Sequence, residues 1–134
     1  MLLLDELVRT DEHSLVAQFT FRDDMPFVRD GAAGAWGCIE LMAQAIAAFA
    51  GYQGRRRGEP PKIGFLIGSR HFSCTHAAFP VGTTVTITVE CQLQDESGLG
   101  SFLATVTGGD ITATATLAVF QPNNVEEFLL KAGS

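Results

Sequence analysis

WGCIELMAQAIAAFAGY, residues 36–52, is the stretch whose reading decides this chain. Nearly every side chain in it is apolar or small, and no proline interrupts it. A helix apolar on all sides is buried, either in a core or in a membrane. This run is shorter than the roughly 20 apolar residues a span needs, and it carries Glu40, so a core is the consistent reading. Its polar interruptions are Glu40 and Gln44, which four residues of helix place on one face. A carboxylate on an apolar helix is costly unless something partners it or uses it. The pattern predicts a helix beginning near Gly34–Trp36 and ending around Gly51–Gly54, where glycine suits the C-terminal cap.

Outward from the helix, the chain reads as strands. Leu3 to Phe21 predicts one or two, with Leu15, Ala17, Phe19 and Phe21 alternating against Val16, Gln18 and Thr20 after a turn at Asp11-Glu12. Arg22 to Gly34 is read as a loop. Beyond the helix, Gln53–Pro61 is a polar loop. Lys62 to Phe79 suits strands with a bend at Gly68, and Pro80-Val81-Gly82 is a turn. Thr83–Leu93 alternates cleanly, with Val85, Ile87, Val89, Cys91 and Leu93 on one face. Asp95–Gly98 turns into a return strand over Gly100–Thr107. Gly108-Gly109-Asp110 is a second tight turn, and Ile111–Phe120 is the last long strand. Asn124 is placed to cap a short terminal helix through Lys131. No internal repeat is visible. A helix apolar all round cannot be covered by its own short flanks. It needs a curved antiparallel sheet around it and a second subunit as well, an α+β arrangement.

The chain of 134 residues fits a single domain over 1–134, and 46 % apolar content is ample for one core. A net charge of −6 and a pI near 4.9 argue against a nucleic-acid binder. Cys38, Cys74 and Cys91 are odd in number and show no CxxC or Cys/His spacing. They read as buried small hydrophobes in a reducing compartment, with no disulfide framework. Met1-Leu-Leu-Leu is followed at once by Asp5 and Glu6, the wrong flank for a signal peptide, so the reading is cytoplasmic with no membrane span. No phosphate loop, metal-ligand spacing or dinucleotide fingerprint is present, and neither a metal nor a cofactor is expected.

Three stretches, MLLLDELV, IELMAQAIAAFAG and IGFLIGSRHF with FPVGTTVTITVE, carry a resemblance over most of the chain. Their order and the helix sequence resemble the hotdog-fold 3-hydroxyacyl-[acyl-carrier-protein] dehydratases of fatty-acid synthesis. The helix flavour is most similar to the dehydratase-like proteins of aryl-polyene pigment clusters. The resemblance implies a dimer-forming hotdog fold, with a long central helix wrapped by the sheet. It implies a thioester dehydratase (a lyase) acting on carrier-protein-bound acyl substrate, and a start clipped by several residues before MLLLDE. The family's helix motif, an acidic residue followed four positions on by glutamine, is matched by Glu40 and Gln44. One departure stands out. The family sets a catalytic His in a His-Phe-Pro motif ahead of the helix carboxylate. The corresponding position here is Pro26, followed by Phe27, and no His lies between His13 and His71. The proline-glycine pair expected just before the helix is Gly34-Ala35.

Dehydration of such a thioester needs a base at C2, an acid at the C3 hydroxyl, and donors for the thioester oxygen. Glu40, desolvated on an apolar face, suits the acid, and Gln44 would orient it. The helix N-terminus, Gly34, Ala35, Trp36 and Gly37, offers free N–H groups to the oxyanion. Against this stands a plainer role, in which Glu40 only complements the helix dipole. His13, His71 and His76 are weak candidates for the base, and Cys38 has no recognisable catalytic partner. Trp36, Phe49, Phe65 and Phe72 are read as core. Arg55, Arg56, Arg57, Lys62 and Arg70 are five of nine Lys and Arg residues in an acidic protein. They read either as a solvated helix end or as a docking patch for an acidic carrier protein. The expected assembly is a homodimer, or a heteromer with a His-bearing hotdog subunit that supplies the base. The alternatives are a non-catalytic subunit that holds acyl chains or stabilises a partner and, last, an acyl-thioesterase whose local signatures are missing.

Overall fold

The helix forms as its sequence demands: twenty residues, Gly37–Arg56, with Glu40 in the first turn and Arg55 and Arg56 in the last, the charge order the helix dipole favours. The computed structural model describes residues 5–24, 28–34, 37–56, 58, 65–95 and 97–120. In chain order the elements are β1 (Glu6–Thr10), β2 (Ser14–Thr20), β3 (Val28–Arg29), β4 (Ala32–Gly34), α1 (the helix), β5 (Phe65–Cys74), β6 (Ala78–Pro80), β7 (Thr84–Gln94), β8 (Leu99–Gly108) and β9 (Ile111–Phe120). Six strands make one antiparallel sheet in the order β1-β2-β7-β8-β9-β5, and β3-β4-β6 make a smaller one.

Period-two alternation decides which face of the large sheet is buried. Leu15, Ala17 and Phe19 of β2 pair with Val89, Ile87 and Val85 of β7, and all six are buried. Phe102, Ala104 and Val106 of β8 and Ala113, Ala115 and Leu117 of β9 continue the same layer. Onto it α1 lays Cys38, Leu41, Met42, Ala45, Ile46 and Phe49. Phe49 meets Phe102 edge-on at 5.9 Å, and Phe21 stacks on Phe79 at 5.1 Å. These aromatic contacts tie α1 to β8, and the β2 end to the small sheet.

The structure corrects the reading in five places. Arg22–Gly34 is not all loop: β3 and β4 pair as a hairpin through Asp30-Gly31, both at positive φ. The helix starts at Gly37 and runs through Gly51 and Gly54 to Arg56, since a glycine costs a helix only about 1 kcal/mol and does not by itself end one. On β7 the alternation fails at a register shift between Cys91 and Leu93, which leaves Leu93 65 % exposed. Cys74 and Cys91 are only partly buried, while Cys38 is fully so. Phe72 is exposed on β5 and is not core. Gly109 has the positive φ its turn needs. Gly108 is required for a different reason, since a Cβ there would sit 2.7 Å from Val85 Cγ1 and 3.1 Å from the Thr84 carbonyl. The expected helix after Asn124 lies outside the described residues.

Candidate functional site

Glu40 stands one turn into α1, and the spacing expected to set it beside Gln44 does so: Gln44 Nε2 donates to Glu40 Oε1 at 3.0 Å. The amide fixes one carboxyl oxygen and leaves the other open. Glu40 is exposed in the single subunit, so the desolvation expected of it is not provided by this chain alone. It lies on an open flank of the helix with Ala43 and Ala47, while Leu41, Met42 and Ala45 face the core.

Of the four positions read as oxyanion donors, Gly34 ends β4, paired to Ala78, and Gly37 is the buried first residue of α1. Ala35 and Trp36 lie outside the described residues, as does Pro26. The Gly37 end of the helix supplies N–H groups without intrahelical partners, a few residues from Glu40. Cys38, next to it, is no nucleophile: burial, with Cys74 adding to it, pushes its thiol up to about 12.

The histidines stand on other elements. His13 is in the β1–β2 turn, where its backbone N–H bonds Asp11 Oδ1 at 2.8 Å. His76 follows β5, its Nδ1 2.9 Å from Thr75 Oγ1. His71 is within β5 at φ +57°. The basic cluster is divided. Arg55 and Arg56 close the helix, Arg70 is on β5 in register with Thr116, and Arg57 and Lys62 lie outside the described residues. Arg56 faces the Tyr52 ring and approaches Glu12 at 4.0 Å. The sequence reading missed an open cavity of about 360 Å³ between Glu12, His13, Gln53 and Arg56. Gln53 Nε2 donates to the Asp11 carbonyl at 2.7 Å, joining residues 42 apart in sequence. No local pattern could have signalled it. From position 40 to position 56 the helix rises about 24 Å, so this cavity is not the Glu40 site.

Among the described residues, no three His, Cys, Asp or Glu side chains gather to hold a metal ion, and no helix is long and apolar enough to cross a membrane.

Compared with known proteins, residues 1–130 match the family model of the ApeP-like dehydratases. No curated protein matches the chain. Among solved structures, the dehydratase heterocomplex ApeI:P from Xenorhabdus doucetiae is similar at 33 % identity and a TM-score of 0.85, over 96 % of this chain and 88 % of that one. The Escherichia coli PaaI protein from the phenylacetic acid degradation operon is similar at 14 % identity and a TM-score of 0.70, over 92 % and 82 %. A hypothetical thioesterase from Streptococcus pneumoniae, solved with coenzyme A, is similar at 16 % and 0.64, over 89 % and 88 %. One helix against a curved antiparallel sheet is the hotdog fold, and this chain has it.

Proposed function

Since the chain belongs to the ApeP-like dehydratase family, we propose that it is one subunit of a two-subunit dehydratase that removes water from 3-hydroxyacyl thioesters on an acyl carrier protein, in cytoplasmic aryl-polyene synthesis. The observation that carries this reading is the Glu40–Gln44 pair on the open flank of α1. There a second subunit would cover the carboxyl and exclude water from it.

In the proposed reaction a base takes the C2 proton, and charge builds on the thioester oxygen beside the N–H groups of the Gly37 turn. Protonated Glu40 then gives its proton to the C3 hydroxyl, which leaves as water with the C–O electron pair, and the enoyl thioester remains. Gln44 holds the carboxyl to one orientation through this step. The base comes from the partner, a hotdog subunit that retains the His motif. Pro26 at the family's base position supports that assignment, as does the placement of His13, His71 and His76 on other elements. Arg55 and Arg56 at the helix end remain the docking candidates for an acidic carrier, with Arg57 and Lys62 beside them in sequence. Arg70 stands on a different element.

Glu40's place in the first helical turn favours a second reading, in which it only complements the dipole and this chain is the non-catalytic, acyl-binding or stabilising half of the pair. The thioesterase reading has only neighbours under 20 % identical behind it, and these carry the fold alone. The test is co-expression with His-bearing hotdog subunits, followed by assay of the purified pair on carrier-bound 3-hydroxyacyl substrate. Turnover by the pair, with little by this chain alone, is the expected result. Robust turnover by the isolated chain would overturn the assignment of the base to a partner.

A further inference from the structure

The side of the large sheet turned away from α1 changes character along its length. At one end it is threonine: Thr86 and Thr88 of β7 stand opposite Thr107 and Thr105 of β8, which face Thr112 and Thr114 of β9. At the other end it is apolar. Leu99 and Leu103 of β8 point outward with Ala118 and Phe120 of β9, because Phe102, Leu117 and Val119 between them face the core. Leu93 joins them through the register shift on β7. It lies two residues beyond Cys91, which is paired with the core residue Phe102, yet it is itself paired with Ser101 on the outer side. Directly paired residues share a face, so the bulge re-aims this leucine outward. Leu93, Leu99 and Leu103 are exposed. Charge of opposite sign borders the patch. Glu90 is paired with Leu103 on one side, and Arg70 stands beyond Thr116 on the other, both exposed.

β9 ends inside this patch, at Phe120, which is paired with Leu99. The sequence that follows it, QPNNVEEFLLKAGS over 121–134, is complementary to the patch. Pro122 cannot continue the ladder, and Asn124 is placed to cap a helix. In that helix Val125, Phe128 and Leu129 fall on one face, at i, i+3 and i+4. Glu126 lies to one side of that face and Lys131 to the other, so the segment, like the sheet, carries opposite signs on its two flanks. The lengths agree as well. The connector QPNN reaches at most about 14 Å, a helix over 125–131 is about 10 Å long, and Leu99 to Leu103 covers about 13 Å of strand. We propose that the apolar patch on the outer face of β7, β8 and β9 is the seat of the chain's own segment 125–131. The segment folds back over Leu93, Leu99 and Leu103 and closes this face of the sheet to other molecules.

Hydrogen exchange read by mass spectrometry on the full chain, in the assembly it forms, tests this directly. The amides of 125–131 are expected to exchange about tenfold more slowly than their intrinsic rates, the protection that contact worth one half-buried leucine provides. Leu93→Ser combined with Leu103→Ser should return them close to intrinsic rates, while 84–89 and 111–119 keep their protection and so report an intact sheet. Should the double change disturb the sheet, Leu93→Ala alone reads the same contact, with a several-fold loss expected. Exchange of 125–131 at intrinsic rates in the wild type overturns the proposal, as does protection that survives the leucine changes. Protection that falls on dilution would give the patch to a neighbouring copy's segment. Loss of assembly in the leucine variant, with exchange of 125–131 unaltered, would give it to a second copy's sheet. Either result overturns the assignment to the chain's own segment.

Discussion

β9 and β5 are hydrogen-bonded neighbours in one sheet, yet they lead opposite lives. β9 buries Ile111, Ala113, Ala115, Leu117 and Val119 and turns its alternate residues outward, as period-two patterning requires. β5 has apolar residues too, but Leu66, Ile67 and Phe72 remain 44 %, 59 % and 38 % exposed. The difference lies in what covers each strand. α1 packs on β2, β7, β8 and β9. The sheet extends one strand beyond the part the helix shelters at each end, β1 on one side and β5 on the other, and the helix keeps an open flank bearing Glu40. Among the described residues, one face of the sheet is covered within the single chain, and β5 and the Glu40 flank of α1 are left open.

That contrast can be broken at several points. The largest effect is expected where the chain covers itself. Phe19 is fully buried and meets Phe21 edge-on at 5.1 Å, so Phe19→Ala should lower stability by about 3–5 kcal/mol in chemical denaturation. Next is Glu40→Gln in the competent assembly, which should lose about 10²–10⁴-fold in turnover and stay folded if the carboxyl delivers the proton. Near-normal turnover with a stability loss of about 0.3–1 kcal/mol would instead mark Glu40 as a dipole residue and favour the non-catalytic reading.

On the edge, Ile67→Ser should change the unfolding free energy of the single subunit by no more than about 0.5 kcal/mol while weakening assembly in sedimentation. The wild type is expected to be at least dimeric, alone at high concentration or with its partner. A stable monomer under every condition would show that the exposed apolar edge needs no cover. The smallest effect lies far from both faces, in the β7–β8 turn. Asp95 Oδ1 accepts from the Ser97 hydroxyl at 2.6 Å and from the Ser97 and Leu99 amides at 3.0 Å each. The Ser97 hydroxyl first, then the Leu99 amide, hold its carboxyl below the ordinary 3.8. A lowered folded-state pKa means that the stabilisation is fully present above the unfolded value and is lost as pH falls from about 3.8 through the folded value. Protection of the Ser97 and Leu99 amides, taken relative to their intrinsic exchange at each pH, should therefore fall below that point, and should stay constant across it in Asp95→Asn.

Local patterning was enough for the helix, the long strands and the inner face of the sheet, though not for β3 and β4. Alternation along Leu15–Phe21, Val85–Val89 and Ile111–Val119 is a local signal, written every second residue, and it survives into the fold because the same side chains that make the pattern make the core. The Glu40–Gln44 contact was legible for the same reason, since four residues of helix bring those positions together whatever surrounds them. The family was legible as well, from stretches such as IELMAQAIAAFAG and IGFLIGSRHF. Where alternation stops counting was settled by contacts between distant strands. Leu93 and Phe72 look like core in their strands, but a register shift at Cys91/Leu93 turns the first toward solvent, and the second lies on β5, where every residue from Leu66 to Ser73 is exposed. The β3–β4 hairpin forms because Phe79 and its neighbours on β6 pair with β4 across more than forty residues of chain. The open flank of α1 and the bare edge of β5 depend on how far a twenty-residue helix reaches across a six-stranded sheet. That reach is a property of the packed layers, set by strand order, which no run of neighbouring residues encodes.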